Sequence, residues 1–228
     1  MRGVVCLAAW LLAAACSRGP APANETAAPA PPAAPAAPAP PDDSGLPKIV
    51  ALGDSLTAGY GLLEKQAFPA LLQQKLAADG YKWEVVNAGI SGDTSAAGLQ
   101  RIDWALAQHD VRILILELGA NDGLRGLPVA EMKKNLAGII ESAKAKSVAV
   151  LLVGMEAPPN FGEQYTAAFR QVFRDLAREN KITLVPFLLE SVAGVPDLNQ
   201  ADGIHPTSSG AARIADHLWP AVKTMIQK

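Results

Sequence analysis

The sequence predicts an α/β domain of three layers, in which a five-stranded parallel sheet with flavodoxin-like strand order lies between two layers of helices. Two observations support this prediction. Short apolar runs alternate along the chain with segments whose apolar residues recur at helical spacing. The central runs are apolar throughout, which is typical of parallel strands that are covered by helices on both faces.

The individual elements follow from the same two patterns. The predicted strands lie at residues 48–52, 83–87, 111–118, 148–154 and 182–187, of which 111–118 is the strongest. Stripes of apolar residues predict helices from Phe68 to Leu76, over 99–109, from Met132 to Ala143, from Phe169 to Leu176 and from Ile214 to Ile226. His109 and His217 fall within two of these stripes, and we expect both to be ordinary helix residues.

The first 16 residues predict an export signal. Arg2 is followed by an apolar run from Val4 to Ala15, which is 12 residues long. A membrane-spanning helix needs about 20 residues, so this run is too short to be one. The run ends in Ala-Ala-Ala-Cys16, which resembles the lipobox of bacterial lipoproteins, where the cysteine is lipidated. The alternative is an ordinary signal-peptidase site, with cleavage before Cys16.

Cysteine usage favours the lipid anchor. Cys6 and Cys16 are the only cysteines in the sequence, so the chain after residue 16 can form no disulfide framework. Residues 17–47 are mostly Pro and Ala, a composition that favours extended polyproline II and acts as a semi-rigid spacer. We therefore expect a signal peptide at 1–16, a linker at 17–47 and one domain at 48–228, held at a membrane through Cys16.

Charge excludes one class of partner. The chain has 20 Lys and Arg against 22 Asp and Glu, with a formal net charge of −2, and its basic residues do not form a block. Nucleic-acid-binding domains usually carry a basic patch, so we expect no nucleic-acid partner. No repeat or other feature specifies an oligomer, and we expect a monomer.

Polar residues follow several predicted strands. Asp54 and Ser55 follow the first strand, and the loop after the second offers Gly89 and Gly92. Asn121 follows the third strand, while Asp202 and His205 lie just before the last helix. Because the carboxyl ends of parallel strands meet at one edge of a sheet, we expect these residues to lie together.

These residue types are the parts that acyl transfer requires. A serine hydroxyl is too weakly acidic to attack an ester unaided, so His205 would take the proton of Ser55. Asp202, three residues earlier in a tight turn, can accept a hydrogen bond from Nδ1 of His205 and fix its tautomer. The N–H groups of Ser55 and Gly89 and the side chain of Asn121 can surround the developing oxyanion.

Each residue also has a purely structural interpretation. Asp54 and Ser55 could only cap a helix, Asn121 and Asp202 could be turn residues, and Gly89 could serve the backbone alone. Four loops with complementary groups at one edge favour the catalytic interpretation. The carboxylates Asp54, Asp93 and Asp122 have no His or Cys neighbours at ligand spacing, so we expect no metal site.

The same blocks resemble the SGNH (GDSL) hydrolase family, which is named for its Ser, Gly, Asn and His. The resemblance rests on LGDSLTAGYG, ISGDTS, ELGANDGLRG and ADGIHP, and runs from about Ile49 to the end of the chain. It assigns Ser55, Gly89, Asn121 and His205 to the four named positions and Asp202 to the family carboxylate. The G-x-S-x-G elbow of α/β-hydrolases is absent from the sequence, which excludes that alternative.

The resemblance implies an esterase or thioesterase that works through an acyl-enzyme without a cofactor. Within the family, the chain is most similar to bacterial periplasmic enzymes that hydrolyse aryl esters, acyl thioesters and lysophospholipids. The family's substrate loops correspond to 122–128 and 157–162, which we expect to line the acyl pocket. Two alternatives are a carbohydrate or peptidoglycan O-acetylesterase and a non-catalytic surface lipoprotein that keeps the fold as a binding module.

Overall fold

The computed structural model describes residues 45–227, so the predicted signal, Cys16 and almost all of the linker lie outside the described residues. The strands are β1 (Lys48–Gly53), β2 (Glu84–Gly89), β3 (Val111–Glu117), β4 (Ala149–Val153) and β5 (Thr183–Val185). The α-helices are α1 (Ser55–Ala58), α2 (Phe68–Ala78), α3 (Ser95–Ala105), α4 (Ala120–Leu124), α5 (Val129–Ala145), α6 (Glu163–Asn180) and α7 (Ser208–Ile226). Short 3₁₀ turns lie at Glu64–Gln66, Pro159–Phe161 and Pro196–Leu198.

The sheet confirms the predicted architecture. Its order is β2-β1-β3-β4-β5 and all four pairings are parallel. Helix α3 packs against α5 and α5 against α6, whereas α2 packs against α7, so the helices form two groups. Strand β1 is buried along its whole length and β3 along most of it, because helices cover both faces of the sheet centre.

The winding of the chain reverses at β1, and this reversal positions the site. After β1 the chain crosses to β2 on one side, and after β2 it returns past β1 to β3 on the other side. Ligands of open α/β sheets bind at such a switch point, outside the carboxyl ends of the strands. Ser55 follows β1 and Asn121 follows β3, so both lie beside the reversal.

Several boundaries differ from the predicted ones for identifiable reasons. Helix α3 ends at Ala105, and His109 lies in a turn before Asp110, whose positive φ of 57° is incompatible with a helix. The prediction of His109 as a helix residue was therefore wrong, whereas His217 lies in α7 as expected. Strand β5 ends at Val185 because Pro186 has no N–H to donate to the sheet.

Among the described residues, no helix has both the length and the apolar character that a membrane crossing requires.

Candidate active site

Ser55 is the first residue of α1 and lies directly beyond the buried end of β1. Asp54 is the N-cap of this helix, and its Oδ1 accepts a hydrogen bond from the N–H of Leu56 at 3.0 Å. The capping interpretation is therefore correct for Asp54. The capping bond does not involve the Ser55 side chain, whose hydroxyl faces a cavity at the strand ends.

The structure brings Ser55, His205 and Asp202 together. Nε2 of His205 lies 2.9 Å from Oγ of Ser55, and Nδ1 lies 2.7 Å from Oδ2 of Asp202. The other oxygen of Asp202 accepts hydrogen bonds from the N–H groups of Ile204 and His205 at 2.9 and 3.0 Å. The hydrogen bond from the His205 side chain, followed by these two N–H groups, lowers the pKa of Asp202 to about 2. Asp202 is therefore ionised at neutral pH, as an orienting carboxylate must be.

Gln200 fixes the loop that carries His205. Its N–H donates to the carbonyl of His205 at 2.7 Å, and its Nε2 donates to the carbonyls of Tyr60 and Pro206 at 2.8 and 2.9 Å. The Tyr60 ring packs on the imidazole of His205, with 4.6 Å between centroids. These contacts tie the segment after α1 to the loop before α7.

Asn121 lies in α4 and lines the same cavity as Ser55. Its Nδ2 donates to the carbonyl of Asp93 at 3.0 Å and to Oδ2 of Asp54 at 3.2 Å. The next residue, Asp122, is buried and accepts two hydrogen bonds from Ser95, which join α4 to the start of α3. Asn121 is therefore held beside Ser55 rather than left in an exposed turn.

The structure contradicts the predicted oxyanion role of Gly89. Its N–H donates to Oδ1 of Asn87 at 2.9 Å, so this donor is already occupied. A Cβ on Gly89 would lie 2.2 Å from the nitrogen of Ala58, which shows that the glycine is required where β2 and α1 approach closely. The structural interpretation of Gly89 was the correct one.

Gly92, the other glycine of this loop, is the better candidate. It is exposed and has a left-handed φ of 88°, and its N–H has no hydrogen-bond acceptor within residues 45–227. Its carbonyl accepts from Arg125 at 2.9 Å, and Asp93, the next residue, accepts from Asn121. The sequence showed both glycines but could not show which N–H is free.

The cavity in front of Ser55 has a volume of about 400 Å³, within the range of small-molecule sites. Ser55, Asn121 and His205 line one part of it, and the rest of the lining is mainly apolar. The two predicted substrate loops contribute Leu124, Ala157, Pro158 and Pro159. The lining also includes residues that the sequence interpretation missed, namely Met155, Phe187, Leu189, Ala193 and Ile204.

The described part of the chain contains no group of three or more His, Cys, Asp or Glu residues that could hold a metal ion.

Comparisons with protein families and with individual proteins point to the same family. A family model described as the GDSL-like lipase/acylhydrolase family matches residues 51–213. The chain belongs to this family. It is 45% identical to esterase TesA of Pseudomonas aeruginosa over 178 residues, which cover 78% of this chain and 89% of TesA. It is 40% identical to thioesterase 1/protease 1/lysophospholipase L1 of Escherichia coli K12, over 78% of this chain and 84% of that protein.

A solved structure supports the same assignment. The chain resembles the psychrotrophic esterase EstA from Pseudoalteromonas sp., in a structure inhibited by monoethylphosphonate, with a TM-score of 0.76 and 35% identity. The match covers 79% of this chain and 99% of EstA. This GDSL-family chain is therefore an ester hydrolase with the SGNH fold.

Two buried carboxyl groups, Asp54 and Glu117, lie next to Ser55 in this hydrolase. Oε2 of Glu117 accepts from the hydroxyl of Thr57 at 2.7 Å and from the N–H of Asp54 at 3.4 Å. Burial raises the pKa of Asp54 from 3.8 to about 6, against the lowering effect of its hydrogen bonds from Leu56 and Asn121. Burial and the charge of Asp54 raise the pKa of Glu117 well above its usual range. Glu117 is therefore the neutral member of the pair.

The raised pKa of Asp54 predicts a dependence of stability on pH. A carboxyl group that binds its proton more tightly when folded stabilises the fold fully below pH 3.8 and loses this contribution as the pH rises to about 6. Asp54→Asn removes this titration, and Asn still caps a helix. The free energy of unfolding of the variant relative to wild type should therefore rise between about pH 4 and pH 8, on the order of 3 kcal/mol. Urea denaturation at the two pH values measures it.

Asp103→Asn, which removes an exposed carboxylate, controls for the loss of one negative charge. A relative stability of Asp54→Asn that falls as the pH rises would show that the folded protein favours the ionised Asp54.

Proposed function

We propose that this hydrolase is a serine esterase and thioesterase in which Ser55 is the nucleophile, His205 the base and Asp202 the residue that orients His205. The observation that carries the proposal is the continuous set of hydrogen bonds from Asp202 through His205 to Ser55, the last two of which line a mainly apolar cavity. A nucleophile, a base and an orienting carboxylate at these distances are the arrangement that acyl transfer needs.

In the proposed reaction, Oγ of Ser55 attacks the acyl carbon while its proton passes to Nε2 of His205. The tetrahedral intermediate then collapses, the bond to the leaving group breaks, and His205 returns the proton to the leaving oxygen or sulfur. Water, deprotonated by His205, attacks the acyl-enzyme in the same way and releases the acid. The ionised Asp202 stabilises the imidazolium that forms in each half-reaction.

Three groups would bind the oxyanion: the N–H of Ser55, the N–H of Gly92 and Nδ2 of Asn121. Neither N–H has a hydrogen-bond acceptor within the described part of the chain, so both are available to a ligand. Asn121 approaches the same region through its bond to the carbonyl of Asp93. Fixed donors of this kind stabilise the charge that develops in the transition state.

The cavity favours substrates with an extended acyl chain. Leu124, Met155, Phe187 and Leu189 contribute apolar surface to its wall. An acetyl group would leave most of this surface without a contact, which disfavours the O-acetylesterase alternative. The names of the relatives given above point to esters, acyl thioesters and lysophospholipids as substrate classes.

We also propose that the protein is exported to the periplasm and anchored by a lipid on Cys16. The support is the signal-like segment 1–16, the lipobox-like Ala-Ala-Ala-Cys sequence, and the Pro/Ala-rich residues that separate Cys16 from β1. Such a tether would keep the active site near a membrane that supplies lipid substrates.

Replacement of the nucleophile tests the proposed reaction. Ser55→Ala should abolish hydrolysis of p-nitrophenyl esters and acyl-CoA thioesters, because no other group can form the acyl-enzyme, while the melting temperature should stay close to that of wild type. A fluorophosphonate should label Ser55, which mass spectrometry can locate.

Among esters of graded chain length, kcat/KM should rise beyond the acetyl ester.

Ser91→Ala, in the exposed loop after β2, is the matched control and should remain active. Labelling at Ser91 or Ser95 would refute the assignment of Ser55. A preference for acetyl esters over all longer ones would instead favour the O-acetylesterase function.

Replacement of Asn121 tests whether this residue is an oxyanion donor or only a structural residue. Asn121→Ala should lower kcat by about 10²–10³-fold and leave KM nearly unchanged, because the donor acts on charge that is present only in the transition state. Ser55 should still react slowly with the fluorophosphonate, since nucleophile and base remain. Steady-state kinetics beside a thermal melt decides the question, and an unchanged kcat with a lowered melting temperature would make Asn121 structural.

Cell fractionation tests the anchor. If Cys16 carries lipid, wild-type protein expressed with its own signal should partition into the membrane fraction, and Cys16→Ser should not. Cys6→Ser, which changes the other cysteine, is the matched control and should behave as wild type. Recovery of intact wild-type protein wholly in the soluble periplasmic fraction would support the ordinary signal-peptidase site.

A further inference from the structure

Arg101, on α3, has a largely buried side chain that makes three hydrogen bonds. Its Nε donates to Oδ2 of Asp93 at 2.6 Å, its Nη1 to the carbonyl of Ala88 at 2.7 Å and its Nη2 to the carbonyl of Gly53 at 2.9 Å. Only 14% of the side chain is exposed. The guanidinium thus contacts the ends of two neighbouring strands and the loop that follows the second.

Two of the three acceptors lie within two residues of a proposed oxyanion donor. Gly53 ends β1 two residues before Ser55, and its carbonyl also accepts the N–H of Ile90 at 3.0 Å. Asp93 follows Gly92, and its carbonyl accepts from Asn121 at 3.0 Å. One guanidinium therefore connects the segments that carry Ser55 and Gly92, and Asp93 links it in turn to Asn121.

We propose that Arg101 is a positioning residue that sets the relative placement of the Ser55 N–H, the Gly92 N–H and the Asn121 amide, an inference that rests on the proposed function of these groups. Arg101 does not line the cavity, so it has no contact with the substrate. Its effect on catalysis passes through the segments that it joins.

The geometry requires arginine rather than a generic cation. The guanidinium is planar and directs its donors along fixed directions, so it satisfies two main-chain carbonyls and a carboxylate at once. A lysine ammonium is a single point of charge on a flexible stem and cannot reach all three acceptors in this arrangement. The carbonyls of Gly53 and Ala88 would then lose a buried donor.

Loss of Arg101 should affect the rate more than substrate binding. Ground-state affinity comes from the acyl chain in the cavity, which Arg101 does not touch. Oxyanion stabilisation depends on donor placement, and misplacement by about 1 Å can cost about 10²-fold in rate. A role in folding alone would lower the melting temperature without a selective loss of kcat.

The test compares Arg101→Ala and Arg101→Lys with the control Arg112→Lys in the full chain, using a p-nitrophenyl ester. Arg112 is exposed and pairs with Asp110 at the start of β3, away from the catalytic edge. Both Arg101 variants should lose about 10–10²-fold in kcat, with KM within about threefold of wild type. Guanidinium ion at millimolar concentration should restore part of the kcat of Arg101→Ala, because it can occupy the vacated site. The control should keep wild-type kinetics.

A folded Arg101 variant with kcat within twofold of wild type, or with a change confined to KM, would overturn the inference. If Arg101→Ala does not fold, Arg101→Lys, which retains the charge, decides by the same criteria. Ser55→Ala is measured in parallel. Full activity in that variant would refute the proposed function, whereas an inactive Ser55→Ala beside fully active Arg101 variants would refute only the positioning role.

Discussion

The hydrogen bond between Ser55 and His205 joins residues 150 positions apart in the chain, and the geometry of the site depends on it. One end is fixed by the sheet, because Ser55 follows a strand whose residues are all buried. The other end lies in a loop without regular structure, where Asp202 and Gln200 hold the main chain and the imidazole. The parallel topology brings the two ends to one edge, and local side-chain contacts then set the distance.

The region beside Ser55, the proposed nucleophile, contains two buried carboxyl groups that lower the stability of the fold. Asp54 and Glu117 are both fully buried, and within the described residues Oε1 of Glu117 has no hydrogen-bond partner. Buried carboxyl groups without full compensation destabilise a fold. Asp54 nevertheless caps α1 and accepts a hydrogen bond from Asn121, so it links the segment of Ser55 to the proposed oxyanion donor Asn121. Such local conflicts with stability are expected at functional sites.

Sequence periodicity predicts most of the sheet, but it predicts the site less completely. The central strands β1, β3 and β4 and the residues at their carboxyl ends follow from apolar patterning, because a covered parallel sheet imposes it. Helices α1 and α4 have four and five residues, too few for a periodic signal. The choice between Gly89 and Gly92 depends on where the Asn87 side chain points, which no local pattern encodes. The part of the cavity wall formed by Phe187, Leu189 and Ala193 was not predicted, because β5 ends at Val185 and the apolar sequence continues into a loop.

Planar side chains join the main-chain segments around the site. Main-chain carbonyls around the site accept hydrogen bonds from planar side chains: Arg101 donates to Gly53 and Ala88, Gln200 to Tyr60 and Pro206, and Asn87 to Thr57. Because each of these groups has donors in fixed directions, it also sets the spacing of the segments that it joins. If the proposed oxyanion donors act as we infer, they are already in place before substrate arrives, so that catalysis need not include the cost of assembling them.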